Sequence, residues 1–386
     1  MPPLWKIRRE LLRLFYAPFR GAVEFVRMHY VRRYYDRVLS RQVKRHSGAL
    51  PLSEEIGVYL IFPSHGVLPS HLRMLREMKA AGIAPFVVAN LPLSEENRAQ
   101  LAPLAAFILE RPNVGYDFGG YRDAVLELVD QLPDLKRLWL LNDSTWLIPQ
   151  PTSWFEDARA LNVDFAAATS NFATPRVDPD RFRDIDWAFS VDHKNFHYAS
   201  YALGIGSKIL RDSDFLTYWK KLEIRNNKSR TVRRGEIGLS KWVLAKGYSH
   251  RATCEVDRLD IELSVLDDVE IDCIAHDLII PANPRLELQK TRILQSNPNS
   301  PNGRSDRIAL ILMAVSRHAC GYVLPGYTLR RRGFQFLKKS PLTQSSETVQ
   351  SMYRLISRLD EEIGAEISSE AEMISSVRTH HAKLAT

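Results

Sequence analysis

Three short stretches combine acidic, amide and glycine residues in spacings that could bind or activate a ligand. The first carries Asn113, Gly115, Asp117, Gly119, Gly120 and Arg122. Its glycines permit positive φ and a close approach of the backbone. A helix opening after them would present free N–H groups and a positive dipole end to a phosphate. Asp117 could accept from a ribose or a base, and Arg122 could face a diphosphate. A tight turn with structural glycines explains the same residues equally well, because the pattern is neither a Walker loop nor the dinucleotide fingerprint. The second stretch is Asn142-Asp143-Ser144, after an apolar run. A carboxylate at a strand end could hold a divalent cation that bridges a diphosphate, with Asn142 and Ser144 as neutral helpers. The competing reading is an Asx turn. The third is Glu236, within Gly235-Glu236-Ile237-Gly238-Leu239-Ser240. It could be a general base that takes a proton from a hydroxyl. Acids also begin helices as simple dipole partners.

Other residues say less. His193 and His197 are spaced as helical metal ligands, but Lys194-Asn195-Phe196 between them is poor helix, so a polar loop is expected. His276-Asp277 follows apolar residues at an expected strand end, where a structural histidine is the better reading than a metal or phosphate contact. No Ser or Cys stands in an elbow or triad context.

These stretches need elements to position them. From about residue 56 the pattern alternates strands and helices. Residues 57–62, 83–89, 107–109 and 137–141 read as buried strands. Leu72, Leu75 and Met78 mark one helix and residues 121–132 another, and Ser94 can cap a third. Alternation of this kind implies a parallel sheet covered on both faces. Ligands of such sheets sit beyond the carboxyl ends of the strands, which points to residues 113–120 and 142–145. Residues 295–306 are polar and turn-rich and suggest a boundary. In the tail, Val349, Met352, Ile356, Leu359 and Ile363 form a short helical seam, expected to pack on the domain rather than form a coiled coil.

Composition limits the function classes. The chain has 386 residues, 45 % hydrophobic and 25 % charged, a globular balance. Its net charge is +8, but residues 1–50 alone hold twelve Lys/Arg against Glu10, Glu24 and Asp36. The body is close to neutral, which argues against a nucleic-acid-binding body. Two amphipathic helices are expected in the arm, along Leu4, Ile7, Leu11, Leu14 and Phe15, then Val23, Val26, Tyr30, Tyr34 and Val38. Such a basic, aromatic arm, residues 1–45, suits an anionic membrane surface, or else packs on the globule. Cys254, Cys273 and Cys320 read as buried thiols of a reducing compartment. With no signal-like segment and no long apolar span, the expected location is cytoplasmic, peripheral on the inner face of a membrane.

In order, the motifs resemble those of the rhamnan synthesis protein F family, glycosyltransferase-like proteins of bacterial surface polysaccharide assembly. The resemblance rests on residues 113–121, on Asn142-Asp143-Ser144, on Ser200-Tyr201-Ala202 and on residues 236–240 with Gly247-Tyr248. It continues in Asn283-Pro284, Lys290 and Asn297-Pro298. Ala202 departs from the family's Phe, and the stretch between the Asn-Pro pairs is short. The resemblance implies an α/β, GT-A-like fold with a mostly parallel central sheet over residues 51–299. An arm (1–50) and a mostly helical C-terminal region (300–386) flank it.

By the same resemblance Asn113, Gly115, Asp117, Gly119, Gly120, Arg122, Asn142 and Ser144 belong to the nucleotide side. Ser200 and Tyr201 belong to the acceptor side. Asp143 takes the place of the acidic metal motif, with Mg2+ or Mn2+, and Glu236 that of the catalytic base. The implied activity is an inverting transfer of a sugar, dTDP-L-rhamnose being the first donor expected, to a lipid-linked glycan. The alternative is a non-catalytic, membrane-associated scaffold of a polysaccharide assembly complex, motivated by the single acid in Asn142-Asp143-Ser144.

Overall fold

The computed structural model describes residues 30, 33–224, 226–281 and 283–384, with side chains through residue 375. The first arm helix and most of the second lie outside the described residues. Twelve strands occur among them: β1 (Lys44–Ser47), β2 (Glu55–Ile61), β3 (Ala84–Ala89), β4 (Phe107–Glu110), β5 (Arg137–Asn142), β6 (Thr145–Leu147), β7 (Phe165–Ala167), β8 (Ser170–Asn171), β9 (His197–Tyr198), β10 (Ala202–Gly206), β11 (His250–Ala252) and β12 (Phe336–Lys338).

Eight of these form one sheet in the order β1-β4-β3-β2-β5-β10-β7-β11. The pairs β4–β3, β3–β2, β2–β5 and β7–β11 are parallel, whereas β10 runs against both neighbours and β1 against β4. This is the expected α/β architecture with a mostly parallel central sheet. Residues 44–47, read with the basic arm from sequence, are its edge strand. β2 sends Tyr59 and Ile61 into one apolar cluster and Ile56, Val58 and Leu60 into another. Both faces are therefore covered, which is why the strand reads as a continuous apolar run.

The chain leaves β2 for β3 and β4 on one side and returns to β5 on the other. The order therefore reverses between β2 and β5, and the crevice beyond their carboxyl ends is the expected ligand position. Asp143 lies there, its N–H donating to Leu60 O (3.0 Å).

The helix expected over 121–132 begins five residues earlier, at Tyr116–Glu127. Gly115 (φ 87°) and Tyr116 (φ 52°), both left-handed, turn the chain into it. Gly119 and Gly120 are therefore inside the helix and not in a ligand-cradling loop. A Cβ on Gly120 would stand 2.4 Å from Leu60 Cδ1, and one on Gly119 2.2 Å from Val114 O. These glycines bring the helix close to β2 and to its own entry turn.

The C-terminal region is helical as expected, except for β12, which pairs antiparallel with β6 directly after Ser144. Residues 295–306 only link the helices Pro284–Gln295 and Gly303–Arg317, and both share the cluster that holds Tyr59 and Trp139. The tail seam is split between Ser346–Ile356 and Glu361–Leu384. Met352, Ile356 and Ile363 bury against Trp146 and Leu337, so the tail packs on the domain. Among the described residues no helix is long and apolar enough to cross a membrane.

Candidate functional site

Asp117 lies in the first turn of Tyr116–Glu127. The buried Arg111 steadies that entry turn, donating to Val114 O (2.8 Å), Asn90 Oδ1 (2.6 Å), Asp123 Oδ2 (2.6 Å) and Tyr35 Oη (2.9 Å). Glu236 ends a π-helical turn, Val232–Glu236, that runs on into Ile237–Ala245. It is thus inside a helical run that starts at Lys228, and no free helix N-terminus lies beside it; the dipole-partner reading is set aside. π-bulges of this kind recur at functional sites. Gly235 rests on Phe118, where a Cβ would be 2.4 Å from the ring. Ser200 stands between β9 and β10, its carbonyl accepting from Tyr121 Oη (2.8 Å).

These elements converge on one hydroxyl. Ser200 Oγ is 2.5 Å from Asp117 Oδ2 and 2.5 Å from Glu236 Oε1. A hydroxyl has one proton to donate, so the second short contact requires a proton on one of the carboxyls. Burial, and then the charge of Glu236, push the Asp117 carboxyl up to about 6. Burial also raises Glu236. The two titrate as a pair that retains a proton to near-neutral pH.

His197 Nε2 lies 3.5 Å from Glu236 Oε2. His197 Nδ1 is 2.8 Å from Asn195 O, an acceptor only, so Nδ1 carries the proton. Burial holds His197 below its ordinary pKa. The neutral ring therefore turns a lone pair toward Glu236. His197 is in a strand, not on a helix, and its partner is a carboxylate.

Asn142 Oδ1 accepts from Ser144 N (3.2 Å) and Ser144 Oγ (2.5 Å), so the Asx turn is real and belongs to Asn142. Asp143 Oδ2 accepts from Phe62 N (2.6 Å) and faces His71 Nε2 (3.4 Å). Burial opposes its charge, but His71, Lys339 and the Phe62 N–H outweigh burial and hold it below the usual carboxylate range. One carboxylate with an oxygen already bonded, a histidine against it and the Lys339 charge nearby is a poor donor set for Mg2+ or Mn2+, which take several oxygen ligands. Among the described residues no group of three or more His, Cys, Asp or Glu is placed to hold a metal ion.

A cavity of about 160 Å3 joins Ser200, Tyr201 and Glu236 to Asn171, His318, Ala319, Tyr322 and Lys338. Lys338 is the main residue that sequence reasoning missed. It arrives on β12, donates to Ser144 Oγ (3.0 Å), and lies 4.0 Å from the Tyr201 ring centre. The Phe334-Gln335-Phe336 alternation just before it is the available signal, in a region expected to be helical. A larger, open basin of about 1090 Å3 lies along Ile237–Ala245, lined by Lys221, Arg233, Arg234, Lys241, Tyr218 and Trp242 among others.

Other expected site residues take different places. Arg122 is buried, donating to Trp219 O (3.0 Å) and pairing with Asp36 (2.9 Å), so its fork is spent on packing. Asn113 is exposed in the entry turn. Gly115 N–H is taken by Asn226 Oδ1 (3.0 Å), and Phe118 N–H by Asp117 Oδ1 (3.0 Å). The Tyr201 hydroxyl is bonded to Thr169 Oγ1 (2.9 Å), leaving its ring to line the cavity. His276 lies in the last turn of the helix Asp268–Asp277 and is not at a strand end.

Residues 86–324 match the family described as Rhamnan synthesis protein F, and the chain belongs to that family. It is 31 % identical over 244 residues to an uncharacterized protein, y4gN, of Sinorhizobium fredii (strain NBRC 101917 / NGR234). The alignment covers 63 % of this chain and 59 % of that relative, so the chain spans about three fifths of the relative's length. The Mn/GDP form of core-mannan synthase A from Aspergillus fumigatus is similar at 9 % identity and TM-score 0.29, over 51 % of this chain and 71 % of that one. The mannosyltransferase Ktr4p of S. cerevisiae is similar at 10 % identity and TM-score 0.30, over 54 % and 71 %.

Proposed function

We propose that the chain is an inverting glycosyltransferase of GT-A-like organisation. It transfers a sugar from a nucleotide sugar, dTDP-L-rhamnose being the first candidate, to a lipid-linked surface glycan. The observation that carries this reading is the Asp117–Ser200–Glu236 contact on a cavity beside the carboxyl ends of a parallel half-sheet. Family membership adds the polysaccharide setting.

In this reading Glu236 takes the proton of the acceptor hydroxyl as its oxygen bonds to the anomeric carbon. The bond from that carbon to the diphosphate oxygen breaks, and its electron pair leaves with the diphosphate. His197 Nε2 faces the far oxygen of Glu236 and is the next base for the proton. Asp117 orients a donor hydroxyl and, with Ser200, holds Glu236 in place. The cavity is smaller than ordinary ligand pockets of roughly 300–1,000 Å3, so it receives only the reacting sugar and the diphosphate joined to it, while the open basin along Glu236's helix suits the outer nucleoside part of the donor. Because the residues around Asp143 do not fit a divalent cation, no step is assigned to one. The basic arm keeps the enzyme at the inner membrane face where a lipid-linked acceptor lies.

The test is a thermal-shift panel of nucleotides and nucleotide sugars. Binding raises apparent stability by about 2.7 kcal/mol at 100 times Kd. One nucleotide should shift the melting point selectively and Asp117→Ala should shrink the shift; no shift with any nucleotide rejects the reading.

A further inference from the structure

Lys338 has no role in the scheme above, yet it is a half-buried cation lining the same cavity as Glu236. It lies outside the family-matched residues 86–324. The pairing of β12 with β6 sets Lys338 opposite Thr145, one residue beyond Ser144, so the ammonium reaches the mouth of the crevice between β2 and β5. It rests 4.0 Å from the Tyr201 ring centre and gives one N–H to Ser144 Oγ (3.0 Å). A π face and a hydroxyl leave a primary ammonium with donor capacity to spare. Among the described residues it closes no ion pair with either carboxylate, although both Glu236 and Asp117 act on it through space. Burial lowers Lys338 to about 8 and those carboxylates partly offset this, so it is charged at neutral pH. The neighbouring Lys339 is already engaged with Ser70 and Glu370, which leaves Lys338 as the cation facing the cavity.

We propose that the Lys338 ammonium holds the diphosphate of the donor and takes up the charge that develops on it, so that transfer proceeds without a divalent cation. The proposal deepens, and rests on, the glycosyl-transfer reading. As the bond from anomeric carbon to diphosphate oxygen breaks, the electron pair stays on that oxygen. Lys338 keeps its proton and donates a hydrogen bond there, while the acceptor proton goes to Glu236. A fixed donor aimed at developing negative charge in a water-poor site is among the strongest devices available to an enzyme. Asp143, already bonded to the Phe62 N–H, keeps the β2–β5 crevice in shape beside it.

The experiment is calorimetric titration of UDP, GDP and dTDP, each beside its parent nucleoside, in EDTA and again with Mn2+. The proteins are wild type, Lys338→Ala and Lys338→Arg. The proposal expects one diphosphate to bind the wild type equally well in EDTA and Mn2+. Lys338→Ala should weaken it by roughly 10- to 100-fold, the size of a charge-assisted hydrogen bond, with nucleoside binding unchanged. Lys338→Arg should retain most of the affinity and serves as the comparison where the alanine variant does not fold. Diphosphate binding that appears only with Mn2+ overturns the proposal and leaves the donor site standing. An equal loss of nucleoside and diphosphate affinity in Lys338→Ala assigns Lys338 a structural role and also overturns it. No nucleotide binding by the wild type in either buffer rejects the donor-site reading, and the proposal with it.

Discussion

Gly235 lies flat against the ring of Phe118, and that contact delivers Glu236 to Asp117. Each acid is the chain neighbour of one member of the pair. A Cβ on Gly235 would fall 2.4 Å from the ring, closer than real side chains pack. Gly235→Ala therefore costs about 1–3 kcal/mol by overpacking. A displacement near 1 Å at Glu236 lowers turnover by about 100-fold. Urea denaturation and a turnover assay read the two effects separately; a stable variant with wild-type turnover would show that this contact does not position Glu236.

The pH dependence follows from the two opposed groups. The rate should rise as pH passes about 6, where the Asp117–Glu236 pair gives up its retained proton. It should fall above about 8, where Lys338 loses its own. Lys338→Arg keeps its charge and should move only the alkaline limb upward. A flat profile between 5 and 9 would contradict both assignments, these being about one unit beyond the two midpoints on either side.

Stability carries the same signature. The native Asp117 value lies above its unfolded value of 3.8. Its contribution is therefore fully present below about pH 4 and is lost as pH rises through about 6. Asp117→Asn removes that loss, so its melting point relative to wild type should be higher at pH 7.5 than at pH 4. Thermal denaturation at the two pH values checks the sign.

Much of this arrangement was legible in the sequence. The strands over 55–61, 84–89, 107–110 and 137–142 were visible because a sheet buried on both faces leaves continuous apolar runs. Asp117, Glu236 and Ser200 each stand in a recognisable motif, but nothing in their spacing reveals that they share one hydroxyl. Gly119 and Gly120 misled because glycine serves close helix–strand packing as readily as a loop. Arg122 misled because a buried guanidinium pairing with Asp36 looks, in sequence, like one that faces a ligand. Lys338 stayed hidden because its strand is three residues long and pairs with β6, far away in the chain.

Glu370 ties the last helix to β6 and to the helix Pro69–Ala80. It accepts from Ser70 N (2.9 Å), Ser70 Oγ (2.7 Å) and Trp146 Nε1 (2.8 Å), and it faces Lys339. Burial opposes its charge, but Lys339 and Ser70 hold it below the usual carboxylate range. Glu370→Ala leaves buried donors and a lysine unpaired and should cost about 2–5 kcal/mol. Equilibrium unfolding in urea measures this, and a loss under about 0.5 kcal/mol, the scale of an ordinary surface change, would show the clasp to be inessential.

The arm is expected to contribute membrane affinity of about 1 kcal/mol for each basic residue at an anionic surface. A chain lacking residues 1–29 keeps β1 and the sheet. It should sediment with anionic liposomes far less than the full chain does, and neither should bind neutral ones. Equal binding by the two chains would remove the arm from the account.

Glu236, as the proposed base for sugar transfer, governs the rate of donor breakdown. The most direct measurement is release of nucleoside diphosphate from the donor that binds, in the presence of acceptor, by wild type and Glu236→Gln. Turnover should fall by about 100- to 10,000-fold in the variant, the usual scale for a general base, with donor affinity and melting point little changed. Near-wild-type turnover by folded Glu236→Gln would contradict the base assignment.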